Sequence, residues 1–199
     1  MSTSERHRGY QEPQGTRFFE EFGYVLDYIP HGRPLSGRPR HYAMPTVQML
    51  GESYFTLLEA ELKHGAVVLL HERLYIGKEQ REKVNRIVGR IGYEELTATA
   101  KAELPTVLEE FLESQESRFV EFFNEAQAVT PRMHAIELLP GIGKKSMWQI
   151  VDQREKRPFE SFRDIRERTN VTDPAKTIAR RIEEELRGES KYRLFTRSA

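Results

Sequence analysis

Leu138-Leu139-Pro140-Gly141-Ile142-Gly143-Lys144-Lys145 stands between two segments whose apolar residues recur at helical spacing. Two glycines flank one apolar residue and two lysines follow, the make-up of a tight helix-to-helix turn whose backbone amides can meet a phosphate. Gly141 and Gly143 permit φ > 0 and carry no Cβ to hold an approaching backbone away. A helix opening after Gly143 leaves unpaired N–H groups and the positive end of its dipole facing outward. Lys144 and Lys145 add formal charge at the same point. A site of this kind holds a sugar-phosphate chain without regard to base identity.

Upstream, Met133, Ile136, Leu138 and Leu139 predict a helix of about two turns. Downstream, Met147, Ile150 and Val151 predict a helix over 144–157, stopped by Pro158. A second unit follows, with Phe159, Phe162, Ile165 and Val171 on one apolar face and Ile178, Ile182 and Leu186 on another. Thr172-Asp173-Pro174 is a helix start, a capping side chain ahead of a first-turn proline. The motif resembles the helix-hairpin-helix family of non-sequence-specific nucleic-acid binders, through Leu139, Pro140, Gly141, Ile142, Gly143, Lys144, Lys145 and Ser146. The resemblance implies that Ile142 is buried beneath the turn while the glycine amides and the lysines hold phosphate. Met147 stands where that family commonly has alanine. Two helix pairs in succession resemble the tandem form of the domain, but the second connection, over 169–174, has no glycine and reads as a degenerate hairpin that supports packing. Lys176, Arg180 and Arg181 could touch phosphate there, but read first as a solvated helix face. A bare Pro-Gly-Ile-Gly would be a helix end and a turn; the glycine spacing, the intervening Ile and the lysines favour phosphate.

The chain has 199 residues, enough for one large or two small domains. It has no cysteine, which excludes disulfides, cysteine-based zinc sites and thiol catalysis and fits a reducing cytosol. No apolar run approaches the roughly 20 residues of a membrane span, and 1–15 lacks a signal-peptide core. A soluble, cytoplasmic protein without membrane partners is expected. The zero net charge conceals a gradient: 101–130 hold 2 basic against 7 acidic residues, and 131–199 hold 16 against 11. The basic excess accompanies the hairpin motif, as an electrostatic footprint for nucleic acid requires.

The N-terminal half reads as strands. Residues 1–17 are polar and rich in Gly and Pro, a composition that predicts disorder. Phe22, Tyr24, Leu26 and Tyr28 alternate with Gly23, Val25, Asp27 and Ile29 as a strand with an aromatic face. Residues 46–50 and 53–62 predict a hairpin around Gly51, and 67–71 and 74–76 supply one or two further strands. Short strands with turn signals between them imply a small antiparallel barrel, OB-like or SH3-like. The connection over 30–42 carries Arg33, Arg38, Arg40, two histidines and Tyr42, and no acid. Such a loop suits a single strand, charge for the backbone and a ring for base stacking, or is an ordinary solvated loop. His31, His41, His64 and His71 lack the paired spacing of metal ligands. His71-Glu72 is the one candidate catalytic pair.

The middle reads as helical. Val84, Ile87, Val88 and Ile91 predict one helix closed by Gly92. Residues 104–127 predict a long one, Pro105 in its first turn, with an apolar stripe of Val107, Leu108, Phe111, Leu112, Phe119, Phe122 and Phe123. The stripe reads as core or interface, and the acidic helix should brace the barrel and repel nucleic acid from its side.

From Phe22-Gly23-Tyr24-Val25-Leu26-Asp27-Tyr28 to the Leu138–Lys145 turn the chain resembles the archaeal family called domain of unknown function 655, over roughly 18–195. That family is presumed to bind RNA on its architecture. The resemblance and the residue pattern together imply an α+β fold, an OB-like barrel over 18–78, a helical linker region over 79–130 and a tandem helix-hairpin-helix domain over 131–195. It also implies a possible monovalent cation at the hairpin carbonyls and no other cofactor. The expected function is non-catalytic, non-sequence-specific nucleic-acid binding, RNA over DNA. Gly141, Ile142, Gly143, Lys144 and Lys145 would hold phosphate, and Arg33, Arg38, Arg40 and Tyr42 would engage a strand. The alternatives are a nucleic-acid-processing enzyme with its site in the barrel around His71 and Glu72, and a protein-interaction scaffold using the 104–127 stripe. No protein partner is indicated.

Overall fold

The alternating segment at 22–29 forms β1 (Phe22–Ile29) in the computed structural model, which describes residues 19–32 and 44–197. β2 (Thr46–Gly51) and β3 (Leu57–Leu62) form the expected hairpin, with Met49 opposite Leu58. β4 (Arg73–Tyr75) and β5 (Val84–Arg90) complete one antiparallel sheet in the order β4-β1-β2-β3-β5. Leu74 and Val84 come from opposite edges yet share one core cluster with Val25, Val47, Met49 and Leu58. That sharing requires the sheet to curl, and it does so as a half-barrel left open between β4 and β5. The N-terminal segment before 19 and the loop bearing Arg33, Arg38, Arg40, His41 and Tyr42 lie outside the described residues.

β5 corrects the expected helix at 84–91. Its apolar residues have a spacing that either element can use, but they are β-branched, and the free edge of β3 offers ladder partners. Only Val84 is buried, while Ile87 and Val88 are half-buried, as suits an edge strand. The strand expected at 67–71 is a loop, and β4 is three residues long.

β2 and β3 are buried on both faces. One face fills the half-barrel; the other, with Leu26, Leu50 and Leu57, packs against helices. Gln48 on that face is fully buried, donating to Glu95 O at 3.1 Å and accepting from Thr97 N at 2.8 Å. Thr97 in turn caps α1 (Ala98–Ser114), accepting from Ala100 N at 3.0 Å and donating to Asp27 Oδ2 at 2.6 Å. The single helix expected over 104–127 is therefore two. α1 starts six residues early because Thr97 supplies its cap, and α2 (Glu116–Glu125) begins after a break at Gln115. Pro105 lies inside α1, not in its first turn, and cannot donate to Lys101 O. Phe111, Phe119 and Phe123 of the predicted stripe are buried in the chain's own core, Phe111 edge-on to Tyr24, Phe55 and Phe119.

A two-stranded hairpin of β6 (Ala128–Thr130) and β7 (Met133–His134) follows. The two-turn helix expected before the glycine turn is one 3₁₀ turn, Ala135–Leu138, because β7 extends to His134 and Pro140 follows closely. Three helices end the fold: α3 (Lys144–Lys156), α4 (Phe162–Arg168) and α5 (Pro174–Leu186). A single apolar cluster runs from Leu26 of the sheet through α1 and α2 to Ile182 of α5. Among the described residues no helix is long and apolar enough to cross a membrane.

Candidate nucleic-acid interface

Leu139 O accepts from Ile142 N at 3.1 Å, closing a turn with Pro140 and Gly141 at its centre. Gly141 has φ +79°, the left-handed value that the third residue of a type II turn needs. Gly143 differs: its φ is −90°, its ψ is 175°, and it is the cap residue of α3. A Cβ at either glycine would meet nothing within 4 Å. Gly141 is thus required by its own backbone, whereas neither conformation nor internal packing asks for glycine at 143. Ile142 between them is buried among the core residues, as the motif implies, and Met147 is buried beside it.

These differences give a clean pair of expectations. Gly141→Ala should cost about 1–2 kcal/mol, through left-handed strain alone. Gly143→Ala should change stability by no more than about 0.5 kcal/mol, a weaker cap offset by a less flexible unfolded chain. Urea unfolding of the two variants checks this; equal losses would mean that Gly143 is also needed by the fold.

The start of α3 is chemically unusual within this chain. Thr97, Ser161 and Asp173 each place a side-chain oxygen on a first-turn amide of α1, α4 and α5, and α2, which also lacks a side-chain cap, carries Glu116 in its first turn. α3 has no side-chain cap and no acid in its first turn, but begins with Lys144 and Lys145. Both lysines are exposed, and among the described residues neither pairs with a carboxylate. Cations at the positive end of a helix dipole are disfavoured, so the turn concentrates positive potential with no ion pair to either lysine among the described residues. At the connection between α4 and α5 Asp173 accepts from Lys176 N at 2.9 Å and closes the start of α5. Arg181, read from sequence as solvated, is buried against Glu185 at 3.0 Å; Lys176 and Arg180 are exposed.

Beside the turn, the β6–β7 hairpin and α3 enclose a groove of about 380 Å³. Arg132 and His134 line one wall, Lys144, Met147 and Trp148 the other, and Glu137 also borders it. Trp148 is 65% exposed. His134 Nδ1 accepts from Ile136 N at 3.2 Å, which leaves the proton on Nε2. Burial, and then the nearby Arg154, hold its pKa below the ordinary value of 6.5 despite Glu137, so the ring is neutral at pH 7. Sequence reasoning passed over this groove, although Trp148, four residues after Lys144 and off the Met147–Ile150 apolar face, was its visible sign.

The other candidates separate. His71 Nε2 meets Glu103 at 2.8 Å and its Nδ1 meets Glu110 at 3.0 Å, while Glu72 pairs with Lys83 at 2.5 Å. His71 and Glu72 are thus each engaged elsewhere and form no pair. A cavity of about 310 Å³ on the half-barrel is lined by Phe19, Leu58, Ile76 and Ile87 with Lys78 and Arg81. Its one carboxylate, Glu20, accepts from the amides of Ser53, Tyr54 and Thr56 at 2.7–3.2 Å. Among the described residues no group of acidic or histidine side chains could hold a metal ion.

The glycine turn, the five-stranded sheet and the helices between them lie within one continuous match, over residues 19–197, to the family model described as "Protein of unknown function (DUF655)". The chain belongs to the DUF655 family. This DUF655 chain is 46% identical over 181 residues to the uncharacterized protein MJ0038 of the archaeon Methanocaldococcus jannaschii, covering 90% of this chain and 81% of that one. It is also similar to the crystal structure of Af1531 from Archaeoglobus fulgidus, itself assigned to DUF655. There the identity is 47% and the TM-score 0.82, over 89% of this chain and 100% of that one. The α+β architecture, a half-barrel with five helices, is thereby an archaeal DUF655 fold.

Proposed function

We propose that this DUF655 protein is a non-catalytic, cytoplasmic nucleic-acid-binding protein that holds the sugar-phosphate backbone without regard to sequence, RNA in preference to DNA. The observation that carries the reading is the uncapped start of α3, where two unpaired lysines follow a glycine that the fold itself does not need. Free amides, a dipole end and two cations together make an anion site. Gly141, Gly143, Lys144 and Lys145 would touch phosphate, and Ile142 would pin the turn from below.

The segment over 135–156 resembles the first hairpin of a helix-hairpin-helix domain whose leading helix is shortened to a 3₁₀ turn. The unit over 159–186 would be its closed, non-binding partner. The half-barrel resembles an OB-fold, and Arg33, Arg38, Arg40 and Tyr42, on its β1–β2 connection, would be a second contact with a strand. The preference for RNA rests on family resemblance. Among the described residues the carbonyls of Pro140, Gly141 and Ile142 accept no backbone hydrogen bond. Such neutral oxygens fit the monovalent cation implied by that resemblance, and a cation there would add charge facing the phosphate.

The test is a binding titration with RNAs of unrelated sequence. Lys144→Gln/Lys145→Gln should fold normally, since glutamine is a comparable helix former. Its affinity should fall by a similar factor on every sequence, because phosphate contacts carry no base information. Sequence-dependent losses, or none, would refute the reading.

A further inference from the structure

We infer that the groove between the β6–β7 hairpin and α3 takes one unstacked base of a single strand, stacked on Trp148, with its phosphate at the glycine turn. The inference rests on the proposed phosphate site and adds what that site selects: single-stranded over duplex nucleic acid.

Trp148 is the chain's only tryptophan, and it leaves 65% of its surface in solvent. Large aromatic rings are buried on average, so a ring held this open on an ordered helix offers a stacking face that the fold leaves unused. Its position is specific. It follows Lys144 by four residues, one helical turn, so both side chains stand on the same side of α3 and line the same groove. The rise between them is about 6 Å, a step that lets one nucleotide set its phosphate at Lys144 and its base at Trp148.

Charge fits the same occupant. Arg132 and Lys144 stand on opposite walls, neither pairs with a carboxylate among the described residues, and Glu137 is the single acid in the lining. His134 is neutral and carries its proton on Nε2, so it adds a hydrogen-bond donor for a base edge and no charge. Buried Met147 contributes apolar lining beside the ring. A cationic groove with an aromatic platform is how single strands are held without sequence preference. A duplex keeps the faces of its bases stacked inside, so it could use the glycine turn but could not lay a base on Trp148.

The experiment titrates the full chain with a short single-stranded oligoadenylate RNA and with an RNA duplex of the same length. Trp148 emission should be quenched by the single strand. Trp148→Ala, with an unchanged melting curve, should lose roughly tenfold in single-strand affinity and keep its duplex affinity. Trp148→Phe should retain most of the single-strand affinity, since it keeps a stacking face. Equal losses on both ligands, or no loss on the single strand, would overturn the inference. If Lys144→Gln/Lys145→Gln weakens both ligands while Trp148→Ala weakens neither, the phosphate site stands and the base subsite falls. If the unaltered protein binds neither ligand, both readings fall together.

Discussion

Glu185→Ala should cost about 3–5 kcal/mol, as expected when one partner of a buried ion pair is removed. The Glu185 carboxylate is fully buried and accepts from Arg181 Nε at 3.0 Å and from the amides of Leu194, Phe195 and Thr196 at 2.7, 3.1 and 2.9 Å. Thr196 Oγ1 adds a further bond at 3.0 Å. Arg181 is itself buried; without Glu185 it keeps, among the described residues, only Tyr192 O and the part-exposed Glu184 at 3.6 Å, and three amides lose their acceptor. The same carboxylate ties down the C-terminal segment that places Phe195 against Phe122 at 4.9 Å. A fall in melting temperature on the order of 10 °C is expected. Glu185→Gln, which keeps an acceptor oxygen, should lose less. A denaturation midpoint for the alanine variant close to the native one would show that the carboxylate is not the anchor of this segment.

Ile142→Asp is the second large effect, and it couples stability to binding. Ile142 is 8% exposed at the floor of the glycine turn, in the cluster that includes Leu139, Met147 and Ile150. An aspartate there would bury an unpaired charge, at a cost of roughly 3 kcal/mol or more, and the turn would have to open to hydrate it. Both the melting temperature and nucleic-acid affinity should drop. Ile142→Val, which removes one methylene, should cost about 0.5–1.5 kcal/mol and leave binding intact. If Ile142→Asp melts like the native protein, the side chain is not packed beneath the turn.

What was legible in the sequence was carried by local chemistry. The strand at 22–29, its alternation broken by a bulge between Val25 and Asp27, the hairpin around Gly51, the 144–156 helix and the Asp173-Pro174 start of α5 all appear, because local signals agree with the fold there. Elements decided by distant partners were not legible. β5 is a strand because the edge of β3 is available, α1 begins at Thr97 because that hydroxyl meets Asp27, and Arg181 is buried because Glu185 and the C-terminal segment close over it. The site divides in the same way. Gly141, Ile142, Gly143, Lys144 and Lys145 are contiguous and could be read directly. The groove joins Arg132 and His134 of one hairpin to Trp148 of a helix, which only the fold brings together.

The central claim, that the α3 start holds phosphate, is tested most directly by salt. Log affinity against log salt should be linear for the native protein. For Lys144→Gln/Lys145→Gln the slope should be shallower by roughly 0.7 for each phosphate no longer neutralised on a single strand, or about 0.9 on duplex DNA. Unchanged affinity with an unchanged slope would contradict the account and leave Pro140-Gly141-Ile142-Gly143 as a turn between two helical segments.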